Sequence, residues 1–65
     1  MANTIFDIVL KELEERRETV TRALSTGSAR DYAEYKYMCG EIRGLSVAHT
    51  HITDLVRKLE QSEDE

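Results

Sequence analysis

The chain has no proline or tryptophan, and among its 65 residues there is one cysteine and one phenylalanine. Without proline, nothing internal forces a helix to kink or stop. A lone cysteine, Cys39, excludes an internal disulfide, so the covalent staple that secures many small folds is missing. The longest apolar run is short, around Ile8-Val9-Leu10, far below the ~20 residues needed to span a bilayer. No charged-then-apolar leader with a small-residue cleavage site is present, and a reducing cytosol is the expected compartment. A basic stripe is also lacking. The formal net charge is −4, and an acidic surface repels phosphate, which disfavours direct nucleic-acid binding.

What is present is helical. The many Glu, Lys, Arg, Ala and Leu residues favour helix, and the length allows a single domain over residues 1–65. A first helix is expected over 4–24. It opens on Thr4 with Asp7 three residues on, a capping box, with Asn3 as a competing cap. Phe6, Leu10, Leu13, Val20 and Leu24 recur four and three apart with Arg17 filling the remaining place, and Ile5, Val9 and the stem of Arg16 widen the stripe. Ser25-Thr26-Gly27-Ser28 breaks the pattern. Gly27 suits a left-handed helix end, and Ser28 with Asp31 reads as a second capping box.

A second helix is expected over 29–60, followed by an acidic, solvated tail over 61–65. Its seam is Tyr35, Met38, Ile42, Leu45, His49, Ile52, Val56 and Leu59. A short link makes the two helices antiparallel neighbours. With the turn centred near Gly27, Val20 faces Tyr35, Leu13 faces Ile42, Leu10 faces Leu45 and Phe6 meets His49. The longer second helix then leaves Ile52, Leu55, Val56 and Leu59 without a partner in their own chain. Leaving them wet forfeits on the order of 6–12 kcal/mol, comparable with the whole stability of a small domain. The fold expected is therefore all-α, an antiparallel two-helix hairpin of coiled-coil type that assembles into an oligomer.

A second feature lies off the seam. Gly40, Gly44 and Ala48 are spaced one turn apart, and Tyr37, His51 and Leu55 extend the strip. Each glycine costs about 0.8–1 kcal/mol relative to alanine inside a helix. A strip of this kind suits a close-approaching backbone, and the bland alternative is a kink or tolerated surface glycines. The expected partner surface is Tyr37, Gly40, Gly44, Ala48, Ile52, Leu55, Val56 and Leu59. Tyr35 is expected in the core, with Tyr32 or Tyr37 anchoring a partner.

Other chemistry finds little support. His49 and His51, two apart on a helix, point in different directions, unlike the four-residue spacing of a helical chelate. His49 fits better as a polar seam residue that fixes register, and Arg17 fits the same role by reaching towards Glu34, Glu41 or the Tyr37/Met38 region. Cys39 reads as an inert packing residue. No nucleophile–histidine–acid order, glycine-rich phosphate loop or paired cysteines are present, and a two-helix chain offers no cleft for a small substrate. No catalytic, metal or cofactor residue is assigned.

The stretch from Asp31 to Leu45, with its tyrosine-rich helix start leading into Gly40-Glu41-Ile42-Arg43-Gly44-Leu45, resembles a segment seen in short helical proteins of tailed bacteriophages. The likeness covers most of the second helix and, more loosely, Thr4 to Leu13. It implies a small phage helical protein encoded among head and portal components, and it transfers no catalytic residue. The function expected on this basis is a non-catalytic structural protein, bound in multiple copies to a capsid, portal or tail-junction protein. Virion or host cytoplasm is the corresponding location. Two alternatives are a small acidic phage inhibitor of a host enzyme or defence complex, and a free-standing helical-bundle dimer acting as an adaptor.

Overall fold

A computed structural model describes residues 4–64, with side chains for 4–62. Two helices make up the fold: α1, Ile5–Ser25, and α2, Tyr32–Asp64. They pack against each other as a hairpin measuring 52 × 18 × 13 Å. Helix two is longer, 33 residues against 21.

The start of α1 follows from its capping box. The Asp7 amide donates to Thr4 Oγ1 at 3.2 Å, and the Thr4 amide donates back to the Asp7 carboxylate at 3.3 Å. Asn3 lies outside the described residues. The end of α1 is a Schellman arrangement: the Gly27 amide donates to the Leu24 carbonyl and the Ser28 amide to the Ala23 carbonyl. Gly27 sits at φ 79°, where a Cβ would be strained.

The start of α2 differs from the expected one. Ser28 does not cap it; its hydroxyl lies 3.3 Å from that of Thr26. Asp31 is the cap, accepting from the Glu34 amide at 2.8 Å, and helix begins at Tyr32 rather than Ala29. Glu34 in turn reaches back to accept from the Arg30 amide at 2.7 Å. At the other end α2 continues through Asp64, so the expected unstructured tail from Gln61 is corrected to helix. Good helix formers with no glycine or proline after Gly44 give it no reason to stop earlier. Glu65 lies outside the described residues.

The register differs more. His49 meets Glu14, not Phe6, and Ser46 meets Arg17. Two causes act together. The connection is longer than expected, which moves its centre along the chain. In addition, side chains on each helix lean towards their own N-terminus, away from the turn in α1 and towards it in α2, so a given α1 residue meets an α2 residue later in the chain than Cα positions suggest. As a result α1 reaches further along α2. Ile52 and Val56, expected to overhang, are half-buried opposite the first turns of α1, while Leu55 and Leu59 remain 47% and 45% exposed. The unpartnered greasy stem is thus corrected to two exposed leucines on one flank.

The core is thin. Among the described residues Val20 alone is buried, at 5% exposure, and Phe6, Leu10, Leu13, Leu24, Met38, Ile42 and Leu45 are half-buried along the seam. Tyr35, expected in that seam opposite Val20, is instead 44% exposed and stacks on Tyr32 with ring centroids 6.1 Å apart. Val20 lines the groove beside Met38 and Glu41.

Candidate interaction surface

Three cross-helix polar contacts fix which residues share a side of the hairpin. Arg16 Nε donates to Glu41 Oε2 at 2.7 Å on one flank. On the other, Arg17 donates to Ser46 Oγ at 3.2 Å, and His49 Nε2 lies 2.7 Å from Glu14 Oε2. Successive residues on a helix turn by about 100°, so adjacent arginines reach opposite sides. Arg17, expected to reach Glu34, Glu41 or the Tyr37/Met38 region, is corrected: Arg16 takes Glu41.

Continuing that angular step along each helix gives two unlike flanks. The Arg16–Glu41 flank carries Ile5, Glu12, Arg16 and Ala23 from α1, and Tyr37, Gly44, Ala48, Leu55 and Leu59 from α2. Ile8, Gly40 and His51 lie at its outer edge. The opposite flank carries Asp7, Glu14, Glu18 and Thr21 from α1, and Tyr32, Tyr35, Cys39, Ser46, Thr50, Thr53 and Arg57 from α2. The first flank sets aliphatic and small residues around Glu12 and Arg16; the second is polar along most of its length, with Tyr32 and Tyr35 near the turn. Ile5 is 67% exposed and Tyr37 72%, so the apolar flank is open. Beyond the local backbone of α2, no atom lies within 4 Å of where a Cβ would stand at Gly40 or Gly44. Nothing inside the hairpin calls for glycine there.

The strip expected from sequence therefore divides. Tyr37, Gly44, Ala48, Leu55 and Leu59 share the open flank, with Gly40 at its edge. Ile52 and Val56 belong to the seam. Sequence reasoning missed the contribution of α1, above all Ile5 and Glu12. The signal was available: Ile5 and Ile8 repeat three apart beside the Phe6 seam, an apolar excess the hairpin does not use.

Electrostatic perturbations are few and all at exposed positions. Hydrogen bonding to Glu41, reinforced by its charge, raises the Arg16 guanidinium. The Arg30 amide and side chain hold the Glu34 carboxyl below the ordinary carboxylate value. Hydrogen bonding to the Cys39 thiol, with its charge, pushes the Tyr35 phenol up. Cys39 itself is half-buried and free. Among the described residues no group of three or more His, Cys, Asp or Glu side chains is placed to hold a metal ion, and no helix is long and apolar enough to cross a membrane. A groove of about 240 Å³ runs between the helices beside Arg16, Tyr37 and Glu41. A second depression, against His51, Ile52, Leu55 and Lys58, extends the same flank towards the open end.

No protein-family model matches the chain, nor does any curated protein or solved structure.

Proposed function

We infer that this is a non-catalytic assembly module, a helical hairpin that acts by docking its apolar flank on another protein surface. The observation that carries this reading is the asymmetry of the two flanks. One presents Ile5, Tyr37, Leu55 and Leu59 to solvent, the other Tyr32 and Tyr35 near the turn, while among the described residues Val20 alone is buried. Burying a large apolar side chain is worth about 1.5–3 kcal/mol, so covering that flank yields what the thin internal core does not. Contiguous exposed apolar patches of several hundred Å² mark interaction sites, and residues of both helices contribute to this one.

The setting comes from the resemblance of Asp31–Leu45 to phage helical proteins: a hairpin held in multiple copies at a capsid, portal or tail junction. The acidic-inhibitor alternative draws on the charge of −4, which suits a basic channel. It leaves the apolar flank without a role, and the structural reading is preferred for that reason. Mass spectrometry of purified particles from the source tests the choice. A fixed copy number that falls away with Leu55→Lys, while helix content by circular dichroism is kept, supports the structural role. Presence in early infected cells only, with none in particles, overturns it.

A further inference from the structure

We propose that a second copy of this chain covers the apolar flank, laid antiparallel about a two-fold axis that crosses the hairpin midway along its length, to give a four-helix bundle. The inference rests on the docking reading above and makes the surface on which that flank docks a second copy, so that what a particle holds is the dimer, by its outer faces.

The first argument is area. Both helices share the 18 Å width over the 21 residues of α1, about 31 Å at ~1.5 Å per residue, which gives a two-helix face of roughly 560 Å² that the longer α2 extends. A stable interface of standard size takes about 800 Å² from each partner. The whole flank, the α2 extension included, is needed to reach that size.

Charge supplies the second argument, and it selects the level of the axis. The cross-helix contacts bring the middle of α1, between Glu12 and Arg16, level with the middle of α2, between Gly44 and Ala48. A two-fold at that level, perpendicular to the helices, sets α1 on α1 and α2 on α2 of the second copy, running oppositely. Glu12 then faces Arg16 of the second copy, and Arg16 faces its Glu12. Half a turn in one direction would stack Arg16 on itself; half a turn in the other would stack Glu12 on itself. Like charges set face to face penalise both slips.

Side-chain size supplies the third. The same axis, chosen on α1 charges, places Ala48 against Gly44 of the second copy, Leu55 against its Tyr37 and His51 against its Glu41. Small faces small where the backbones must come closest, and leucine faces an aromatic ring where there is room. The open space at Gly44 then has a use: it admits the crossing helix.

The test uses the full chain. Sedimentation equilibrium at low micromolar concentration is expected to give a dimer, twice the 7.5 kDa of the monomer. Geometry is read by cross-linking in a Cys39→Ser background. An oxidised equimolar mixture of Tyr37→Cys and Leu55→Cys chains should form a mixed disulfide, and neither chain alone should. Tyr37 and its own equivalent would stand roughly 27 Å apart, given about 1.5 Å of rise per residue. Glu12→Arg is a second variant at an exposed position, expected to weaken dimerisation at least about tenfold with helix content unchanged. A helical monomer at all concentrations overturns the proposal, as does a dimer that cross-links Leu55→Cys to itself. The two readings fail separately. A monomer that still loses particle binding with Leu55→Lys sinks the dimer and keeps the docking flank. A dimer whose particle content ignores Leu55→Lys does the reverse.

Discussion

His49 Nε2 and Glu14 Oε2 lie 2.7 Å apart, joining residues separated by 35 positions and locking the middle of α2 to the middle of α1. The pair sits on the polar flank with both side chains part-exposed, so its energetic worth is modest while its value for register is high. A double-mutant cycle with Glu14→Ala and His49→Ala should return a coupling of about 0.5–1 kcal/mol in thermal or urea denaturation. The control is Phe6→Ala with His49→Ala, which should be additive, because His49 does not meet Phe6. Coupling in the control and none in the first cycle would restore the register read from spacing alone.

That register illustrates where sequence stops being legible. The elements themselves were readable because their signals are local. Thr4 with Asp7, Gly27 and the three-four spacing of Leu10, Leu13, Met38, Ile42 and Leu45 each act within one turn of the chain. Which residues meet across the hairpin depends on connector length and on the lean of long side chains, and neither is local. Ser28 and Asp31 are both good caps, and the choice between them moved the helix start. Arg16 and Arg17 are chemically identical neighbours, yet one turns to Glu41 and the other to Ser46. The apolar flank was half legible: the α2 strip could be traced, but Ile5 and Glu12 joined it only once the two helices were brought together.

Acid should weaken the α2 start through Glu34. Its folded-state pKa lies below the ordinary value because the Arg30 amide and side chain hydrogen-bond its charged form. A depressed carboxyl contributes stability that is fully present above the unfolded pKa and is lost as pH falls through the folded one. The difference in melting temperature between wild type and Glu34→Gln should therefore be constant near neutrality and shrink as pH drops below the ordinary 4.5. A gap that stays constant down to strong acid would mean that Glu34 acts by shape rather than charge.

The turn offers a sharper contrast between glycines. Gly27 occupies the left-handed region at φ 79° with no steric neighbour, so Gly27→Ala suffers from backbone conformation alone. A cost of about 1 kcal/mol is expected in chemical denaturation, with oligomeric state unchanged. A neutral substitution would show that the Schellman geometry is not needed to reverse the chain.

Gly40 and Gly44 make the opposite case, and together they separate hairpin stability from association. Both are helical, and a Cβ at either meets nothing beyond the local backbone of α2. Gly40 lies at the outer edge of the apolar flank, so Gly40→Ala should stabilise helix by about 0.8–1 kcal/mol and leave association intact. Gly44 lies within the flank. Gly44→Leu should likewise keep or raise helix content by circular dichroism, yet abolish association in sedimentation, because a large side chain holds the crossing backbone away. The pair of outcomes matters more than either alone. If both variants gain helix and both still associate, glycine at position 44 admits no neighbour, and the flank must be covered in some way that never brings two backbones close.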